Sequence, residues 1–200
     1  MAETIQLEPA LALLELASIA AGIRAGDAMA KRTPLSALRT GTVHPGKYLI
    51  LAAGQVAEVE EALDAAEAVG TVDCRVFLPA VHDEVVRALC GGRRPHAGEA
   101  LGVMETTTVP AILEFADAAV KGAEVSLTKL ALADGLGGKG YALLSGAVYD
   151  IEAAMEIGEE RLSRSSVVER VVISQLDPLM AENLLAPGEL FHRLPAAGES

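Results

Sequence analysis

Residues 100–121 read ALGVMETTTVPAILEFADAAVK, and the chain has already said this once, at residues 10–31, as ALALLELASIAAGIRAGDAMAK. The two align without a gap. Ala10, Leu11, Glu15, Ala21, Asp27, Ala28 and Lys31 recur as Ala100, Leu101, Glu105, Ala111, Asp117, Ala118 and Lys121, each 90 positions further on. A second block recurs at a spacing of 92, where Gly46, Lys47, Gly54, Val56, Glu60 and Ala62 match Gly138, Lys139, Gly146, Val148, Glu152 and Ala154. Both blocks keep their order, so a whole unit is duplicated. A repeat of this length decides the architecture before any single motif does.

The 200 residues therefore divide into two units, 8–92 and 98–187, each long enough for a core yet small enough to gain from burial against a neighbour. Hydrophobic residues make up 51% of the chain but aromatics only 3%, with no Trp, and the mean hydropathy is +0.34. Small apolar side chains let helices and strands approach closely, and the surplus implies surface buried against other subunits. No apolar run reaches the ~18 residues of a membrane span. The run from Ala10 to Ile23 follows Glu3 and Glu8 rather than a basic segment and is repeated in mid-chain, so it reads as structure and not as a signal peptide. Sixteen basic against 28 acidic residues leave a net charge of −12, which argues against nucleic acid or an anionic membrane as partner. Cys74 and Cys90 have no counterparts in the other half, so no disulfide framework is expected and the chain reads as cytoplasmic.

Taken in order, residues 10–16 read as a strand and Ser18 caps a helix from Ile19 to Lys31 that Pro34 closes. Leu35 to Val43 and Lys47 to Ala53 read as two strands joined by the turn His44-Pro45-Gly46. A helix marked by Val56, Val59, Leu63 and Ala66 follows, then a strand from Asp73 to Leu78 and a short helix from His82 to Leu89. The second half repeats the order: a helix from Thr107 or Thr108, strands near 125–133 and 139–145, a helix carrying Val148, Ile151 and Met155, and a strand from Val167 to Ile173. Asp177-Pro178 then starts a last helix. Each half thus runs βαββαβ plus a short helix. The fold class is α+β, two tandem ferredoxin-like domains with an antiparallel sheet and helices on one face.

At this point the repeated residues resemble a known family. Glu15, Asp27-Ala28 and Lys31 with their copies Glu105, Asp117-Ala118 and Lys121, and Gly46-Lys47, Gly54, Val56 and Glu60 with theirs, together with Leu78-Pro79 after the first half's last strand, are similar to the shell proteins of bacterial microcompartments in tandem-domain form. The resemblance covers about residues 10–185. It implies a homotrimer whose six domains form a pseudo-hexagonal tile, packed edge to edge with other shell proteins, hexamers and pentamers, into a shell that metabolites cross through a central pore. It implies that the hairpin between the second and third strands lines that pore, which places Val43, His44, Pro45 and Gly46 there from the first half, and Leu136, Gly137 and Gly138 from the second. It also puts Lys31 and Lys121 at the tile edge. The family's usual proline-arginine pair is Pro79-Ala80 here and Ser174-Gln175 in the second half. The unpermuted strand order resembles single-layer tiles. Some tandem tiles carry an iron–sulfur cluster through a cysteine at the pore hairpin. His44 and Leu136 stand there instead, so no cofactor is expected.

The sharper motifs dissolve in this context. Gly135-Leu136-Gly137-Gly138-Lys139-Gly140 contains GxGxxG, but a dinucleotide fingerprint runs from a strand into a helix, and these glycines run into the strand Tyr141 to Leu144. Their better use is close approach of backbones where side chains would clash. His44 is a weak candidate metal ligand, since three copies would meet at a three-fold axis, and otherwise a polar lining. Glu15 and Glu105 are placed to pair with a lysine, and no second acid or nucleophile arrangement accompanies them, so the chain does not read as an enzyme. Two readings stay open beside the tile. One is a regulatory protein holding a small molecule between tandem ferredoxin-like halves; the other is an electron-transfer tile.

Overall fold

In a computed structural model of the chain, residues 9–92 and 98–185 are described. The first unit comprises β1 (Ala10–Leu16), α1 (Ile19–Arg32), β2 (Ala37–Val43), β3 (Lys47–Gly54), α2 (Val56–Val69), β4 (Cys74–Leu78) and α3 (Asp83–Leu89). The second comprises β5 (Ala100–Thr106), α4 (Val109–Gly122), β6 (Ser126–Leu132), β7 (Gly140–Gly146), α5 (Val148–Glu159), β8 (Val167–Ile173) and α6 (Pro178–Leu185). The α+β tandem ferredoxin-like reading is thus what the chain adopts. The expected unit limits at 8 and 187, residues 93–97 of the linker, His96, His192 and the tail from Ala186 lie outside the described residues.

The sheets are ordered β2-β3-β1-β4 and β6-β7-β5-β8, with every neighbour antiparallel. In each, the first strand of the unit lies inside, and the hairpin β2–β3 or β6–β7 forms one flank. Ser18 caps α1 as its position suggests, its hydroxyl accepting from Ala21 N–H at 3.3 Å.

β1 is buried along its whole length, so both of its faces are covered. Alternation sends Ala10, Ala12, Leu14 and Leu16 one way, into a core shared with Ala25 and Met29 of α1 and Val59, Ala62, Leu63 and Ala66 of α2. Leu11 and Leu13 point the other way, with Val76 and Leu78 of β4, into a core that runs on through Val109, Leu113 and Val120 of α4. The open face of the first sheet is therefore covered by the second unit. Nothing in the described part of the chain covers the second sheet to the same degree.

Candidate pore hairpins and the domain seam

The β2–β3 hairpin is a three-residue loop, His44-Pro45-Gly46, closed by Gly46 N–H donating to the Val43 carbonyl at 2.8 Å. Gly46 has φ +100°, a conformation that favours glycine. The β6–β7 hairpin is longer, because the spacing between halves rises across it. Thr42 pairs with Tyr48 as Leu132 pairs with Gly140, so the offset is 90 before the turn (132 − 42) and 92 after it (140 − 48). The extra residues coil on Ala133, whose carbonyl accepts from Leu136 N–H at 3.0 Å and Gly138 N–H at 3.3 Å.

The two hairpins touch. A Cβ placed on Gly138 would lie 3.0 Å from Pro45 Cδ and 3.1 Å from the His44 carbonyl oxygen, so only glycine lets them meet. Equivalent parts of two rotated copies come closest where they are nearest the rotation axis. Of the residues assigned to a pore, His44, Pro45, Gly46 and Gly137 are exposed, Val43 and Leu136 half-buried, and Gly138 buried beneath the first hairpin. One neighbour escaped the sequence reading. Asp134 reaches across from the longer hairpin, its Oδ1 3.8 Å from His44 Nδ1.

The lysines that follow the hairpins turn away from the tips. Lys47 Nζ meets Glu15 Oε1 at 2.5 Å, and Lys139 Nζ meets Glu105 Oε1 at 2.8 Å. Each is neutralised by its own glutamate. Glu15 does a second job: its Oε2 accepts from Val109 N–H at 3.0 Å. Thr108 makes no side-chain cap to α4, so the first unit supplies a carboxylate to the N-terminus of the second unit's helix.

Further along the same seam, Asp117 Oδ1 accepts from His82 N–H at 2.8 Å, and Lys121 Nζ is held by Asp117 and by the Ala80 carbonyl, both at 2.5 Å. Glu84 of α3 accepts from Leu127 N–H at 3.1 Å while Arg87 donates to the Leu127 carbonyl at 2.7 Å, which ties α3 to β6. Cys74 lies at this seam, 3.6 Å from the Thr108 hydroxyl. Burial pushes its thiol pKa up, and the Thr108 bond only partly opposes this.

Several side chains of this seam have twins that the described residues leave exposed. Val109 and Leu113 on α4 are both 0% exposed, whereas their counterparts on α1, Ile19 and Ile23, are 40% and 56% exposed. Val76 on β4 is 4% exposed and its counterpart on β8, Val171, 40%. Val85 on α3 is buried, and Met180 at the same place on α6 is exposed. Among the described residues Lys31 bonds Asp27 alone, at 2.6 Å, where Lys121 also reaches across to the first unit. The chain thus holds one closed seam, and the faces on α1, β8 and α6 that correspond to it are exposed among the described residues. Among the described residues, no three His, Cys, Asp or Glu side chains gather as a metal set, and no helix is long and apolar enough to cross a membrane.

Known proteins share this arrangement. Residues 10–81 and 100–176 each match the family model of the BMC domain. The bacterial microcompartment shell protein PduT of Citrobacter freundii is 37% identical over 161 residues, which is 77% of this chain and 85% of that protein. A crystal structure of a microcompartments protein from Desulfitobacterium hafniense DCB superposes with a TM-score of 0.74 at 32% identity, over 86% of this chain and 97% of that one. A fused permuted hexameric shell protein from the RMM microcompartment, 19% identical, shares the fold with a TM-score of 0.56 over 76% and 80% of the two chains.

Proposed function

This chain belongs to the BMC-domain family and is a structural tile of a bacterial microcompartment shell, and from that premise we propose that three copies close into a pseudo-hexagonal ring with a pore on its axis. Units 8–92 and 98–187 are the alternating wedges. Val43, His44, Pro45, Gly46, Leu136, Gly137 and Gly138 surround the opening, and Lys31 and Lys121 lie toward the rim, where the ring meets other shell proteins. Its work is to wall off enclosed chemistry and to let metabolites through by size and charge. No reaction step is assigned to it.

The observation that carries the ring is the mismatch between α4 and α1. α4 is buried on its seam face by its own chain's first sheet, and α1 offers the matching face with Ile19 and Ile23 uncovered. The second sheet offers the matching receptor face, with Val171 exposed and Glu105 34% exposed. A surface on one side that fits a different surface on the other is a head-to-tail contact, which makes rings when the rotation closes. Repeating the internal seam between chains uses up both open faces, and places Glu105 at the Ile19 amide as Glu15 sits at Val109.

Light scattering with electron microscopy of the same sample tests the reading. Three chains of 20.7 kDa give about 62 kDa, with flat hexagonal outlines. A monomer or dimer that never tiles, even with hexameric shell proteins added, refutes it. A ligand that then stabilises such a monomer would point instead to the regulatory reading.

A further inference from the structure

We propose that Asp134, not the hairpin lysines, sets the ion preference of the pore, and that His44 beside it cancels that preference when protonated. The inference rests on the trimeric pore proposed above and names the groups that act in it.

The two side chains come from different units yet stand 3.8 Å apart at the hairpin tips, 82% and 72% exposed. The other charges near them are either paired or set back from the tips. Lys47 is bound to Glu15 and Lys139 to Glu105. Arg39 on β2 pairs with Leu51 and Lys129 on β6 with Leu143, so both stand in mid-strand, short of the strand ends at Val43 and Leu132. The Tyr48 hydroxyl on β3 is bonded to Thr40. What remains at the tips is one carboxylate and one imidazole per chain. Imidazole is the ordinary side chain that changes charge between pH 5 and 8.

In a three-fold ring, Asp134 and His44 alternate around the opening. With the imidazoles neutral, three carboxylates face a passing solute without compensation. A unit charge ~6 Å from an ion in water changes its local concentration about threefold, and salt screens only part of this at such range. Cations and neutral metabolites then pass in preference to anions such as carboxylates and phosphate esters. With the imidazoles charged, three ion pairs leave the ring neutral and the preference fades. Neither partner belongs to a packed core, so the device costs little to the fold.

The test is the potassium-to-chloride permeability ratio of trimers in planar bilayers, measured at pH 8 and pH 5. The wild type should favour potassium at least about threefold at pH 8 and approach parity at pH 5. D134N should give parity at both values. H44Q, which keeps the carboxylate and removes the proton site, should stay cation-selective at both. A pH-independent wild-type ratio, or wild-type behaviour of D134N, overturns the inference while the ring stands. A preparation whose native mass is not that of a trimer overturns the pore reading, and this inference with it.

Discussion

The open half-seam makes a quantitative demand on Ile23. It is 56% exposed in the single chain, whereas Leu113, its twin in the closed seam, is fully buried. Burying an isoleucine side chain from full exposure is worth about 1.5–3 kcal/mol, so covering the remaining half adds ~1 kcal/mol at each seam. A ring has three such seams, which makes about 3 kcal/mol from this residue alone, or roughly a hundredfold in the trimer dissociation constant. Ile23→Asp removes that and also strands a carboxylate with no cation placed to meet it. Burying an unpaired charge costs several kcal/mol at each site, so the total loss is about 10 kcal/mol or more per ring. At micromolar concentration the variant should scatter as a 20.7 kDa monomer. Its helical circular dichroism should be retained, because Ile23 points away from the core of its own unit. Ile23→Val should keep the trimer. Leu113→Asp should destabilise the isolated chain itself, since its seam is internal. An Ile23→Asp variant that still scatters as a trimer would refute the idea that the internal seam is repeated between chains.

Other outcomes follow from single side chains. Burial raises the carboxyl pKa of Glu114 above its ordinary 4.5, opposed by the Arg161 charge. The fold therefore prefers the protonated form, a preference present at acid pH and lost as the carboxyl ionises. Glu114→Gln should thus raise the melting temperature at pH 7 by a few degrees and leave it nearly unchanged near pH 3. Exposed Cys90 should react with iodoacetamide in the native protein well before Cys74, whose thiol burial holds protonated, as peptide mass mapping would record. Gly158→Ala brings a Cβ to 2.5 Å from the Phe115 ring and should cost about 1–3 kcal/mol in urea melts. In a Phe115→Ala background the same change should cost much less, the Phe115 carbonyl oxygen at 3.1 Å being the close contact that stays, and simple additivity of the two would count against a shared packing site.

Much of the fold could be read from the chain because it states its pattern twice. A lone apolar run at 10–16 is ambiguous, but the same run, cap and helix followed by the same Gly-Lys strand leave few alternatives to a doubled βαββαβ unit. The hairpins were legible for the same reason, with proline and glycine marking the first turn and three glycines the second. Asp134 was missed because it falls where the two copies lose alignment: the longer hairpin has no counterpart for it, and Asp-Gly by itself reads as a turn. The roles of Glu15 and Glu105 were half visible. That each would find a lysine is a matter of charge. Which lysine depends on register, since Glu15 lies opposite Leu49, two residues along β3 from Lys47. That Glu15 would also cap a helix 94 residues away has no local signal at all.

The way the copies differ supports their congruence more than their identities do. In the first unit α1 carries Gly22 against the Tyr48 ring of β3, where an added Cβ would lie 2.4 Å from Tyr48 Cδ1. In the second unit the sizes are exchanged. Ile112 stands on α4, and Gly140, the counterpart of Tyr48, stands on β7, where an added Cβ would lie 2.3 Å from Ile112 Cγ2. Packed interiors tolerate such swaps only when the summed volume is kept. A comparable summed volume is what lets a helix pair keep its height above its sheet, and so lets outer faces stay alike while interiors drift. That is what a ring of alternating unlike wedges requires. The internal seam can be repeated between chains only if the second unit still presents a sheet face shaped like the first, and the first still presents a helix shaped like α4. The hairpin tips lie outside those packed layers and escape the constraint. They are accordingly where the copies differ most, in length and in charge, and where His44 and Asp134 face each other.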